Sequence, residues 1–431
     1  MTELVAVREA VRWPGARFIA PAAGLAGMAL LTALFLWRRE AYFAALVLLG
    51  FNPLQVGTLD QTPFSDAVQV LSSAQCWRQG VNVFTINPCE PMGRSFVYPP
   101  LMLLLLPPHP GWAAALGLAQ GAAFFLSLAF LPWRKGLAPF VAAGALSPPA
   151  WYGVERGNLD LLIFMLAMLA GYLLSRERRR LLAYPVMLFG GMLKYYPFVL
   201  MALAIRERRM TLAAIAGLSA VAIGAAIGLA WPYLAEMRAN IPLGFAPRDS
   251  FGADVLAAVL GCGLNGGDCT VVPPDAPASM LRTYRTVMAI GLAGTAGSTL
   301  LLLRALRLRA AMAALAAHEA ALLMIGALTL VGCFFTGRSF AYREVFFLLT
   351  MPGLLSLGRR GGTAGAVAGA ALAAIVFLMW SSALHNWLDL AAIDATSLFF
   401  VRELGFWWLV SFLLAVILAG LAGPRPARAR P

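Results

Sequence analysis

The sequence predicts an all-α polytopic membrane protein, and three observations carry that expectation. Of 431 residues, 61% are hydrophobic and only 12% are charged, with a mean hydropathy of +0.77, whereas a soluble domain carries about a quarter charged residues. Apolar stretches near the roughly 17–25 residues that cross a bilayer as a helix recur around 18–36, 112–132, 212–232, 286–303, 321–335, 363–380 and 405–422. The Lys and Arg side chains fall in short runs between these stretches: Arg134-Lys135, Arg176 to Arg180, Arg206 to Arg209, Arg304 to Arg309, Arg359-Arg360 and Arg425 to Arg430. That is the positive-inside pattern. It places those runs in the cytoplasm and makes the net charge of +13 a topological signal, with no nucleic-acid partner implied.

Taken in order, residues 1–17 are mixed in charge and no small-residue cleavage site follows the first apolar run, so that run reads as a retained span. The pieces 18–36 and 41–57 are either two spans or one span with an interfacial helix. Segment 98–107 is too short to cross alone. Tyr98-Pro99-Pro100 at its start and Pro107-Pro108 at its end predict a short, broken or re-entrant helix beside protein or a water-filled cavity. The basic runs at 134 and 176 enclose two short spans, 138–152 and 159–174, which turn at Glu155-Arg156-Gly157-Asn158. Those at 180 and 206 enclose two short helices meeting near Gly190 to Pro197. The sum is a single integral membrane domain over 1–431 with roughly ten to thirteen membrane segments, some short or re-entrant. Outer loops fall at 58–97, 233–283, 336–344 and 382–403.

Most carboxylates lie in or beside those outer loops, among them Asp66, Glu155, Asp160, Asp254, Glu344 and Glu403. Acidic residues orient helices weakly, so function at the outer face is one reason for the asymmetry. Cys76 and Cys89 share one outer loop, and Cys262 and Cys269 share another. Two disulfides in an oxidising compartment fit this placement. Cys333 falls in an apolar segment as a small buried residue. The three histidines, His109, His318 and His385, are scattered and offer no metal-ligand spacing.

Several polar residues are candidates for chemistry. Ser65 or Asp66 suits the start of a short helix. Asp66 is alternatively a general base at the membrane boundary, where desolvation raises a carboxylate's pKa. Asn158 suits a helix N-cap and Asp160 the positive end of the helix that follows. Arg156 adds a fixed charge where helix N-termini bind anions. Lys194, in an apolar segment between Leu193 and the pair Tyr195-Tyr196, either holds a lipid phosphate or snorkels to the headgroups. The turn Thr336 to Glu344 carries Arg338 and Arg343, whose forked donors suit phosphate; Arg343 and Glu344 alternatively pair.

The ordered motifs are Phe64-Ser65-Asp66, Trp77-Arg78-Gln79-Gly80-Val81-Asn82-Val83-Phe84, Tyr98-Pro99-Pro100, Glu155-Arg156-Gly157-Asn158-Leu159-Asp160 and Leu193-Lys194-Tyr195-Tyr196-Pro197. Together, over about residues 60–205, they resemble glycosyltransferase family 87, which has the GT-C fold and uses polyprenyl-phosphate sugars. Its best-known members are the polyprenol-phosphate-mannose-dependent mannosyltransferases of bacteria. Residues 206–431 match mainly in hydropathy, with a similar Tyr-Arg turn at Tyr342. The resemblance implies an inverting hexosyltransferase of the bacterial cytoplasmic membrane, acting on its outer face. Its partners would be a polyprenyl-phosphate sugar donor, a lipid or glycan acceptor, and the membrane lipids. Asp66 matches the catalytic acidic residue of the first outer loop. Lys194, Arg156, Arg338 and Arg343 are the expected donor-phosphate residues, and Tyr98, Asn158, Asp160, Tyr195 and Tyr342 the expected substrate pocket. Ala67 stands where many relatives have an aromatic or apolar residue, and the 84–98 insert with Cys89 is longer than usual. No resident cofactor is called for, and divalent-metal dependence stays open. A transporter or flippase of lipid-linked or anionic solutes, and a non-catalytic assembly subunit, are the competing classes.

Overall fold

The computed structural model describes residues 15–52, 63–242, 248–262 and 276–423. The described chain is almost entirely helical, with a single pair of two-residue strands. In order, the α-helices are α1 (Ile19–Trp37), α2 (Arg39–Leu48), α3 (Ser65–Arg78), α4 (Leu101–Leu105), α5 (Ala113–Ser127), α6 (Ala138–Ala145), α7 (Pro148–Arg156), α8 (Asp160–Leu174) and α9 (Ala183–Leu193). They continue with α10 (Arg209–Ala230), α11 (Leu234–Ala239), α12 (Asp254–Cys262), α13 (Ala278–Ala305), α14 (Leu308–Ala313), α15 (Ala317–Thr336), α16 (Phe347–Gly358), α17 (Gly362–Leu390) and α18 (Thr396–Leu421). Strands β1 (Ser250–Phe251) and β2 (Ser339–Phe340) pair antiparallel.

Seven helical stretches among the described residues are long and apolar enough to cross a membrane: 16–37, 110–130, 209–239, 278–305, 317–336, 362–390 and 396–421. The bent pair α7–α8, which meets at 113°, makes an eighth if counted as one span. Most of α10 and α13 is exposed. Apolar faces of that extent are untenable in water, so the chain is a multi-pass membrane protein.

The ten to thirteen predicted segments therefore resolve into seven or eight spans and several shorter pieces. The second N-terminal piece is the ten-residue α2, with residues 53–62 outside the described set. Segment 98–107 contains only the five-residue α4. Between Arg180 and Arg206, α9 stops at Leu193, and a 3-10 helix, Tyr196–Arg206, follows. The outer loop expected at 382–403 is mostly helix: α17 runs to Leu390 and α18 starts at Thr396. Within it, Arg402 and Glu403 are buried against each other inside α18.

The chain forms two compact units. The first comprises Met1–Gln61, Ala122–Tyr152 and Leu243–Gly420; the second comprises Thr62–Gly121, Gly153–Pro242 and Leu421–Pro431. In the first unit, α15, α16 and α17 pack in succession. Small residues allow the close approach: a Cβ on Gly353 would stand 2.8 Å from Leu323, and one on Gly365 2.9 Å from the Gly358 carbonyl. The basic turns gather at one end, where Arg134 pairs with Glu319, Ser356 donates to the same carboxylate, Arg359 donates to the Lys135 carbonyl, and Arg360 to that of Ala314.

In the second unit, α8, α9 and the 3-10 helix run back and forth. Asp160, Lys194 and Tyr196 are thereby brought to one end, and Arg180, Arg206 and Glu207 to the other.

Candidate active site

The site is built in the second unit around the start of α3. Phe64, the residue before the helix, has the left-handed φ of 66°, and its N–H donates to the Glu155 carbonyl at 2.6 Å. Two glycines make room for this crossing. A Cβ on Gly117 would lie 2.1 Å from the Phe64 ring, and one on Gly157 would lie 3.1 Å from the Ala67 Cβ. Gly157 also has φ +60°, which costs an L side chain roughly 1–2 kcal/mol. The small side chain of Ala67 thus fits the close approach of the Glu155–Asn158 turn.

Asp66 does not cap α3, since no side-chain cap bond closes that end. Its carboxylate instead accepts from Arg156 at Oδ1, 3.0 Å from Nε and 2.6 Å from Nη2, and from the Asn158 Nδ2 at Oδ2, 2.6 Å away. The bonds from the charged guanidinium are of the strong, charge-assisted kind. The Arg94 Nη1 lies 3.6 Å from the same Oδ1. Burial pushes the Asp66 pKa up, but Arg156, Arg94 and Asn158 together outweigh it and hold the group below its ordinary value.

Asn158 joins two ion pairs. While Nδ2 serves Asp66, Oδ1 accepts from the Lys194 Nζ at 3.2 Å and from the Asp160 backbone N–H at 2.9 Å. That last bond is the helix-start role expected of Asn158, although Leu159 occupies the cap position itself. The Gln120 side chain donates to the Asn158 carbonyl.

Lys194 ends α9 in extended conformation and donates to the Asp160 Oδ1 at 2.7 Å. The Tyr196 hydroxyl donates to that same oxygen at 2.7 Å, and the Tyr98 ring centroid is 5.1 Å from the ammonium. Lys194 is only 5% exposed, so it does not snorkel. The adjacent Tyr195 is half-buried, and its hydroxyl has no hydrogen-bond partner among the described residues.

The loop after α3 is bolted to that helix. Cys76 and Cys89 form a disulfide with Cα atoms 5.8 Å apart, Asn87 donates to the Ser73 hydroxyl at 2.9 Å, and Gln69 donates to the Ser95 carbonyl at 3.1 Å. Glu90 folds the tip: one oxygen accepts the Met92 and Arg94 N–H groups, and the other accepts the Arg94 side chain at 2.8 and 3.0 Å. Arg94 is thereby aimed at Asp66 and also donates to the Ser65 carbonyl at 2.8 Å. Three cations, Arg94, Arg156 and Lys194, thus face three anions, Asp66, Glu90 and Asp160.

Of the residues expected at the site, Asp66, Arg156, Asn158, Asp160, Lys194 and Tyr98 share this network, with Tyr195 next to it in sequence. Arg156 and Lys194, expected on a donor phosphate, are here paired with Asp66 and Asp160, because both carboxylates are buried and need a counter-charge. Arg338, Tyr342 and Arg343 belong to the first unit. There Arg338 pairs with Asp254 at 3.1 Å, and Tyr342 stacks on Tyr152 at 5.8 Å. Glu344 lies 3.6 Å from Arg402. Cys262 ends α12, and Cys269 lies outside the described residues. Among the described residues no three His, Cys, Asp or Glu side chains converge as a metal site.

Sequence reasoning missed Arg94, Glu90 and Gln120. The spacing of Glu90 and Arg94 around Gly93, with its positive φ of 66°, is the one local signal that points to the first two. Compared with family models, characterised proteins and solved structures, the chain matches none.

Proposed function

We propose that the protein is an inverting glycosyltransferase that moves a hexose, with mannose the first choice, from a polyprenyl-phosphate donor to a lipid or glycan acceptor on the outer face of a bacterial cytoplasmic membrane. The observation that carries this reading is the Asp66–Arg156–Asn158–Lys194–Asp160 network. It holds an ionised carboxylate next to cations at the end of short apolar helices. The motif resemblance to glycosyltransferase family 87 supports the same chemistry.

In this mechanism the acceptor hydroxyl attacks the anomeric carbon from the face opposite the phosphate. The bond between that carbon and the phosphate oxygen breaks, and the hydroxyl proton passes to Asp66. Each oxygen of a carboxylate has two lone pairs. The Asp66 Oδ2 uses one for Asn158 and has capacity for the acceptor O–H.

The donor phosphodiester carries one negative charge and leaves as a monoester with two. Asp66 loses its charge in the same step. Arg156, which holds Asp66 beforehand, is then available to the leaving phosphate. Lys194 and Arg94 supply the remaining positive field. The total charge of the network is unchanged through the reaction, so a buried site can host it.

The test is transfer by purified protein from labelled polyprenyl-phosphate hexoses to membrane lipids, with wild type beside Asp66→Asn. Transfer by wild type that drops steeply in Asp66→Asn supports the assignment. Undiminished transfer removes Asp66 as the base, and no transfer by wild type with any donor favours the second reading. That reading, a transporter of lipid-linked or anionic solutes, draws on the Arg402–Glu403 pair inside the apolar helix α18, since buried charges in spans mark solute or proton pathways.

A further inference from the structure

The opposite end of the second unit carries a second cluster that the proposed reaction does not use. Glu207 is buried and takes up two partners, the Arg180 Nε at 2.5 Å and the Tyr184 hydroxyl at 2.7 Å. These bonds tie the 3-10 turn Glu177–Leu182 to the residues that follow the 3-10 helix Tyr196–Arg206. Arg206 sits at the same junction, close enough to feel the charges of Arg180 and Glu207. It is half-buried, and its enclosed Nε has no acceptor among the described residues. Arg178, Arg179, Arg208 and Arg209 surround the junction on the exposed side. Six arginines here face two glutamates, Glu177 and Glu207.

An excess of positive charge around a half-buried guanidinium with an unused donor calls for an anion. The apolar neighbours say which kind. Leu181, Leu182, Ile205 and Met210 interleave with these arginines and are each more than half exposed. Exposed leucine and isoleucine next to a free phosphate ion would gain nothing from it, whereas an acyl chain below a phosphate covers them.

We propose that this junction is a binding site for the headgroup of an anionic phospholipid, with Arg180 and Arg206 on its phosphate and the exposed apolar side chains along its first acyl carbons. Glu207 is a positioning residue that fixes Arg180. Basic pockets between helices at the cytoplasmic face bind anionic headgroups in this manner. The site is independent of glycosyl transfer, so its test does not depend on any activity.

The experiment measures lipid retention by native mass spectrometry, together with the unfolding midpoint, for full-length protein in micelles doped with phosphatidylglycerol or phosphatidylcholine. Wild type is expected to retain phosphatidylglycerol preferentially and to unfold at a higher temperature with it. Arg206→Gln is expected to weaken that preference about fivefold, and Arg206→Lys to keep most of it. If Arg206→Gln does not fold as wild type does in phosphatidylcholine, the exposed pair Arg208→Gln/Arg209→Gln replaces it, with a loss of at least about fivefold expected for the two charges removed. Equal retention of both lipids by wild type, or undiminished preference in the Gln variants, overturns the proposal. Displacement of the lipid by millimolar inorganic phosphate would assign the site to the free ion and overturn it also.

Discussion

Each unit of this protein buries an ionic cluster, and the two clusters differ in how their charges are matched. In the second unit, Asp66 is held by Arg156, Arg94 and Asn158, and the whole network has as many cations as anions. In the first unit, Arg402 serves two buried carboxylates at once: Glu403 at 2.7 Å and Glu344 at 3.6 Å. Its other bonds go to the Ser381 hydroxyl and the Ser250 carbonyl. Burial opposes ionisation in both places, yet the outcomes are opposite. Asp66 ends below its ordinary pKa. Glu344 is pushed up to about 8, because desolvation exceeds the attraction of Arg402 and Glu403 repels a second negative charge. Matched pairing keeps a carboxylate ionised, whereas a single cation shared between two acids leaves one of them protonated at neutral pH.

That contrast can be broken most forcefully at Asp66. Asp66→Asn is expected to lower glycosyl transfer by roughly 10²–10⁴-fold, the usual contribution of a general base, while Glu344→Gln leaves transfer near wild type in the same assay. Next in size, Arg402→Met strands two buried acids and is expected to cost about 3–5 kcal/mol of stability, read from the unfolding midpoint. Replacing Cys76 and Cys89 by Ser releases the 13-residue separation that bolts the Arg94 loop to α3. The expected loss is about 2–4 kcal/mol, with transfer falling further as Arg94 loses its aim.

The pH dependence is the most diagnostic effect, because its sign differs between the clusters. Glu344 has a folded pKa above its unfolded value. Its stabilisation is complete below about pH 4.5 and is lost as pH rises towards 8, at up to about 1.4 kcal/mol per pH unit. Asp66 has a depressed folded pKa, so its stabilisation is present above the ordinary carboxylate range and is lost on acidification. Unfolding midpoints measured from pH 5 to 8 should therefore decline less steeply in Glu344→Gln than in wild type. An identical slope would show that Glu344 is not the proton holder.

Much of the second unit was legible in the sequence because its signals are local. Gly190-Gly191 and Tyr195-Tyr196-Pro197 flank the helix break, and basic runs too close together for a full span announced the short elements on either side. Asp66, Asn158, Asp160 and Lys194 could be singled out because polar side chains stand out in apolar surroundings. Their pairing could not be read. Arg156 lies 90 residues from Asp66, and nothing in local spacing tells a phosphate-binding arginine from one that neutralises a carboxylate. Arg94 was hidden because it lies in an irregular loop held by Glu90 and a disulfide, where no helical period marks a face. In the first unit, 382–403 read as a loop because the burial of Arg402 with Glu403 inside α18 is a tertiary event that composition does not encode.

The brevity of the elements that link the two ends of the second unit has a mechanical consequence. Helix α8 has 15 residues and α9 has 11, which gives axial lengths of about 22 and 16 Å, against a hydrocarbon layer of about 30 Å. If the arginine end is anchored at the cytoplasmic headgroups, the carboxylate end cannot reach the opposite headgroups of an unstrained bilayer. The lipids around this unit must thin, or the Asp66 network must lie in a recess below the membrane surface. Membrane thickness then sets how deep the network sits: thick, ordered bilayers deepen the recess, and thin ones lift the Asp66 carboxylate towards water.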